Sequence, residues 1–252
     1  MLIPLGRSLG THGGVVWLRE AWRVYRQARL ATIVLAGAAL VLLALGLANG
    51  LGAALALVGL PFLLTAGARI VQLERRGEAP HWHAIHATLR RESRGLLRLG
   101  LLGLAVGLAL SLLVRLSEPL SHAETLGHLI AQALALLVLA STMLFSPFLM
   151  LEHKLTPARA LLASAAGCWR NLLGAAELTV GFVVACVAMC TPVILIWVVG
   201  FSKVPMSFGA TIWMPATAGL LLLPALVLSP YFAYRDIFVE EPPPAELTPL
   251  RL

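Results

Sequence analysis

Six long apolar stretches alternate with polar segments along this chain, near Ala31 to Ala48, Gly52 to Leu73, Leu96 to Val114, His128 to Met150, Leu178 to Val199 and Thr211 to Phe232. A hydrocarbon core of about 30 Å takes about 20 helical residues to cross, and each stretch is near that length. Runs such as Leu40-Val41-Leu42-Leu43-Ala44-Leu45 are apolar on every side, whereas a spanning β-barrel needs short segments that alternate apolar and polar. The pattern predicts an all-α integral membrane protein of six transmembrane helices.

The polar segments carry the orientation. All of the 19 Lys and Arg residues except Arg115 and Lys203 lie in or at the edge of four of the seven flanking segments, and those four are every second one. Basic segments stay on the cytoplasmic side, so both termini are expected inside, in a bacterial inner membrane. Met1 to Gly14 and the tail from residue 241, with Pro242, Pro243 and Pro244, read as flexible. Residues 15–240 form one membrane domain between them. The first apolar stretch begins after residue 30 without a clear cleavage motif, which argues against a secretory signal peptide.

Within that domain a unit recurs three times, over about 15–78, 79–154 and 155–240. Each unit has a basic amphipathic lead followed by two spans, and the second span carries a proline and then an aromatic residue. These marks are Pro61-Phe62, Ser146-Pro147-Phe148 and Ser229-Pro230-Tyr231, with the prolines 86 and 83 residues apart. The nearly equal spacing reads as an internal triplication. On a helical wheel Arg19, Arg23 and Arg26 oppose Trp17, Leu18, Ala21, Val24, Tyr25 and Ala28. His83, Arg90 and Arg94 oppose Trp82, Ile85, Leu89 and Leu96, with Pro80 suited to the first turn. Arg159 and Arg170 oppose Leu161, Ala165, Cys168 and Leu172, with Thr156 as a cap and Pro157 at the first helical position. Each lead is expected to lie in the headgroup plane and then turn into its odd-numbered span. The Asn49-Gly50 pair predicts a very tight outer connection. Because each unit crosses twice, successive units keep one orientation, and a pseudo-threefold bundle is the simplest arrangement. Pro61, Pro147 and Pro230 are expected to kink equivalent even-numbered helices.

Composition agrees with lipid as the solvent, since 59% of the residues are hydrophobic, 12% are charged and the mean hydropathy is +0.88. The net charge of +7 and pI of about 10.2 are confined to membrane-flanking turns. They point to anionic headgroups, not nucleic acid, with Arg19, Arg23, Arg26, Arg90, Arg94, Arg159 and Arg170 as the contacts. Cys168, Cys186 and Cys190 read as small hydrophobes. His81, His83 and His86 form the densest imidazole cluster and are weak metal candidates, because His81 points to the apolar face and arginine neighbours the others. Glu177, about two turns past Arg170, reads either as a proton or cation site or as a carboxylate paired with Arg69, Arg170 or another inner-leaflet arginine. His128 and Gln132 are placed to hydrogen-bond between helices. The sequence holds no HExxH, no phosphate-binding loop and no Cys-x-x-Cys, and no cofactor is implied.

Trp17-Leu18-Arg19-Glu20-Ala21-Trp22-Arg23-Val24-Tyr25-Arg26, Leu155-Thr156-Pro157-Ala158-Arg159-Ala160 with Trp169-Arg170-Asn171, and Tyr231-Phe232-Ala233-Tyr234-Arg235-Asp236-Ile237-Phe238 together resemble a family of bacterial multi-pass inner-membrane proteins with no established activity. They are more distantly similar to the membrane domain attached to some glycerophosphodiester phosphodiesterases, without the soluble catalytic barrel. The resemblance implies membrane location and helix count and carries over no catalytic residue. The expected role is non-enzymatic: binding of anionic lipid, a partner membrane protein or a second copy. The alternative expectation is a small transporter or channel with kinked even-numbered helices and Glu177 as its ion site.

Overall fold

A computed structural model describes residues 13–116, 125–174, 176, 177, 180 and 208–239. These residues are almost wholly helical, with no strand among them. The elements in chain order are α1 (Gly13–Gln27), α2 (Arg29–Ala48), α3 (Gly50–Arg75), α4 (Trp82–Leu116), α5 (Thr125–Leu144), α6 (Ser146–Glu152), α7 (Pro157–Arg170) and α8 (Phe208–Phe238). Among the described residues four helical segments are long and apolar enough to cross a membrane: Arg29–Gly46, Gly50–Arg75, Trp82–Val114 and Ile130–Glu152. They coincide with the first four predicted stretches. Leu178 to Val199, except Val180, lies outside the described residues, as do both termini and Cys186 and Cys190. The sixth stretch falls within α8.

Local chemistry sets the element ends. Asn49 alone separates α2 from α3, and its Oδ1 accepts the Gly52 N–H at 2.7 Å as a helix cap. The turn is as tight as the Asn-Gly pair predicts. A Cβ at Gly52 would collide with the Leu45 carbonyl, so the hairpin closes only on glycine there. At its other end α3 stops in a Schellman motif: Gly77 N–H donates to Glu74 O, Glu78 N–H donates to Leu73 O, and Gly77 has φ of +72°.

The proline-bearing helices differ from one another. α3 and α8 run through Pro61 and Pro230, whereas the fourth stretch divides at Phe145 into α5 and α6. A proline at position i leaves the carbonyl of i−4 without its usual donor. The hydroxyl of Ser146 donates to Met143 O at 3.0 Å, and that of Ser229 donates to Leu226 O at 2.8 Å. Each serine thus satisfies the carbonyl released by the proline beside it. The break at Phe145 has a second cause. Ser164 of α7 accepts the Phe145 N–H at 2.9 Å and donates to Ser141 O at 2.7 Å. One hydroxyl is inserted into a single rung of the helical ladder, a recognised origin of a sharp bend.

The amphipathic leads also depart from expectation. The apolar face of α1 is packed on α8, and Trp17, Ala21, Val24 and Ala28 are buried. The buried stripe of α7 packs on α5 and α6. Protein therefore covers much of the apolar face assigned to lipid, because a Trp or Leu gains as much against a packed helix as against acyl chains and adds dispersion contacts. Leu172, two residues past the end of α7, remains exposed. The second lead does not turn at all. It is continuous with its span in α4, whose 35 residues reach about 52 Å at 1.5 Å each, well beyond the hydrocarbon core. Pro80 precedes that helix instead of entering its first turn, and Thr156 stands at the N-cap of α7 without a side-chain capping bond, although Pro157 does open the helix.

Each lead packs on a proline-bearing helix, α1 on α8, α4 on α3 and α7 on α5 and α6. The helices α3, α6 and α8 meet one another at the basic end. The core lies there, with Ile70, Leu73, Leu96, Leu99, Phe148, Leu149, Leu228 and Tyr234 fully buried. Leu101, Leu108, Leu112 and Leu113 on α4, and Leu30, Ile33, Val34 and Val41 on α2, are exposed large apolar side chains. That much uncovered apolar surface suits acyl chains as its solvent.

Candidate functional site

Where α3, α6 and α8 converge, polar side chains replace the apolar core. Gln72 and Arg69 come from the last turns of α3, Glu152 ends α6, and Tyr231 and Tyr234 lie one turn apart on α8. Glu152 Oε1 accepts from Gln72 Nε2 at 3.1 Å and from the Tyr231 hydroxyl at 3.2 Å. Its Oε2 accepts from the Tyr234 hydroxyl at 3.1 Å. Gln72 Nε2 also reaches the Tyr231 oxygen at 3.1 Å, while Gln72 Oε1 accepts from Arg69 Nη1 at 3.4 Å. A carboxylate holding three donors fixes three helices relative to one another. The tyrosine rings sit in an aromatic cluster, with Phe148 to Tyr231 at 5.5 Å and Phe148 to Tyr234 at 5.3 Å between centroids.

Beside this network opens a cleft of about 230 Å³ between α3, α4 and the turn after α6. Arg69, Arg91 and Lys154 line it, with Thr88, Glu92 and Glu152. Arg91 Nε meets Glu92 at 3.0 Å. Arg69 Nε is buried without a hydrogen-bond partner. Lys154 holds a positive φ of 53° in the short turn between α6 and α7.

A second, wider cleft lies between α1, the end of α3 and the end of α8, lined by Glu20, Arg23, Glu74, Arg75 and Arg235. Its wall is fixed by Trp17 Nε1, which donates to Asp236 Oδ2 at 2.7 Å, and by the Arg75 guanidinium 5.3 Å over the Phe232 ring. These contacts bring the basic ends of α1, α3 and α8 to one place.

Arg19, Arg23, Arg26, Arg90, Arg94, Arg159 and Arg170 are all exposed. His81, His83 and His86 are exposed too; His81 precedes α4, beside Leu30, Ala31 and Trp82, and His83 and His86 lie in its first turns. Among the described residues no group of three His, Cys, Asp or Glu is placed to hold a metal ion. Glu177 is half-buried, and Arg69, one of its suggested partners, donates to Gln72. Gln132 is exposed on α5. Cys168 is buried as a small hydrophobe, and that burial pushes its thiol up from 9.0 to about 12. Sequence reasoning passed over Glu152 and Gln72 entirely. It read Tyr231 and Tyr234 as marks of a repeat and a resemblance, not as phenols on a carboxylate.

Comparison with protein-family models, with curated proteins and with solved structures finds no match. The fold therefore defines the class on its own: a helical protein with, among the described residues, four helical segments long and apolar enough to cross a membrane, and a polar, arginine-rich end.

Proposed function

We propose that this chain is a six-span bacterial inner-membrane protein, with both termini cytoplasmic and no catalytic activity. It binds anionic lipid at the inner leaflet through its arginine-rich end and packs there against a partner membrane protein or a second copy. One observation carries the reading: the exposed arginines of α1, α4 and α7 stand at the end where α3, α6 and α8 converge. Guanidinium groups in that place meet phosphate at the headgroup level, each adding about 1 kcal/mol near an anionic surface. The cyclic docking of each lead on a proline-bearing helix, α1 on α8, α4 on α3 and α7 on α5 and α6, supports three units related about an axis along the membrane normal. The packed aromatic centre supports binding over passage.

The test is co-purification and rebinding of anionic lipid. Replacing Arg19, Arg23 and Arg26 by Gln removes about 3 kcal/mol of attraction, so affinity for vesicles containing phosphatidylglycerol falls roughly 100-fold at low salt and less at high salt. Unchanged affinity overturns the proposal. Proteoliposome flux that disappears in Glu177→Gln or Pro147→Ala replaces it with transport.

A further inference from the structure

The cleft between α3, α4 and the turn after α6 differs from the arginine-rich surface around it, because it is concave and its cations come from three separate elements. Arg69 projects from α3, Arg91 from α4 and Lys154 from the turn, across a space of about 230 Å³. The anions present are already engaged. Glu92 pairs with Arg91, and Glu152 holds Gln72, Tyr231 and Tyr234. Arg69 donates through Nη1 to Gln72, yet its buried Nε has no partner. A buried guanidinium nitrogen left without an acceptor costs free energy that a bound oxyanion recovers. Thr88 adds a side-chain hydroxyl at the wall, although that hydroxyl donates to Ala84 O at 3.0 Å and so offers its lone pairs, not a proton, to the cleft. The donors available to an anion are therefore cationic, which selects phosphate over neutral polar groups.

We infer that this cleft is a specific site for a phosphate-bearing anion, held between Arg69, Arg91 and Lys154. The proposal rests on the reading that this end faces the inner leaflet, and it narrows general attraction for lipid to one pocket. The phosphate comes either from a phospholipid headgroup or from free phosphate.

Thermal stability of the detergent-purified full chain separates these sources. Inorganic phosphate is one probe. Short-chain phosphatidylglycerol is a second, and short-chain diacylglycerol, which lacks the phosphate, is its control. Stabilisation by phosphatidylglycerol but not by inorganic phosphate assigns a lipid headgroup, and stabilisation by both assigns free phosphate as sufficient. In Arg69→Gln and in Lys154→Gln the apparent dissociation constant rises about tenfold or more, as loss of one charge-assisted contact requires. Lys154 is exposed, so its replacement leaves the core untouched and guards against misreading a folding defect at Arg69. If diacylglycerol stabilises as well as phosphatidylglycerol, or if both variants respond like wild type, there is no phosphate site here. Vesicle binding of the Arg19, Arg23 and Arg26 triple variant is measured in parallel. A loss there with unaltered Arg69 and Lys154 variants sinks the pocket and leaves the broader lipid reading standing, whereas no loss in any variant sinks both.

Discussion

At the scale of single residues, Ser164 does the most with the fewest atoms. Its hydroxyl accepts from Phe145 N–H and donates to Ser141 O, and it is fully buried. Alanine at this position strands a buried amide, because the bend keeps Phe145 out of reach of its normal acceptor. The expected loss is about 1–3 kcal/mol, read as a lowered Tm in detergent, and a Tm equal to wild type removes the hydroxyl from the account of the bend. Threonine, which keeps the oxygen, should recover most of it if the extra methyl fits. Cys168 gives a residue prediction of another kind. Its thiol is held neutral by burial, with a pKa near 12 against the ordinary 9.0, and thiolate is the form that alkylates. In the folded protein at pH 8 its peptide should stay unmodified by iodoacetamide and become modified in denaturant, as mass spectrometry of the digest shows. The sign of the accompanying pH effect follows. From pH 9.0 upward the unfolded chain releases a proton that the folded one keeps to about 12, so this group lowers stability as pH rises through that window and has no such effect below it.

At the scale of elements, the pairing of α1 with α8 joins a buried apolar face to one long-range polar contact. Trp17 donates to Asp236 across 219 positions of sequence, and the rest of its ring is buried. Trp17→Phe keeps most of the apolar area but removes one hydrogen bond to the Asp236 carboxylate, at a cost of about 1.5–3 kcal/mol for a hydrogen bond to a charged group. Limited proteolysis after Arg19, Arg23 or Arg26 should accelerate in that variant, since α1 is released from its seat, and protection equal to wild type would make the contact incidental. These cases also mark what was readable in the chain. Ser146 and Ser229 stand next to their prolines, and their role needs only helical geometry, so it is local and legible. Ser164 is not, because it reaches Phe145 from another helix and nothing in the periodicity of either segment states their register. Glu152 and Gln72 escaped for the same reason: each sits alone at the end of a helix, and only the convergence of α3 and α6 with the tyrosines of α8 makes them a cluster. The amphipathic faces were legible as faces, with Trp17, Ala21 and Val24 together. Their partner was not, since an apolar stripe carries no mark that separates a neighbouring helix from an acyl chain.

At the scale of the whole molecule, the distribution of charge and the path of the helices have to agree. α3 runs from the uncharged hairpin at Asn49 to Arg75 and Arg76, and its 26 residues cover about 39 Å, enough to cross the hydrocarbon core. The hairpin end is therefore periplasmic if Arg90, at the arginine-rich end, is cytoplasmic. Two positions report this directly. Gly50 is exposed with open space where a side chain would project, and Arg90 is exposed on α4. In a chain whose three cysteines are replaced by alanine, Gly50→Cys should react with an impermeant maleimide in intact spheroplasts. Arg90→Cys should react only in inverted membrane vesicles. Exchange of the two patterns reverses the orientation and removes the inner-leaflet lipid reading with it. Reaction of both from one side means that α3 does not cross, whatever its length, and the exposed leucines of α2 and α4 then need a protein partner in place of lipid.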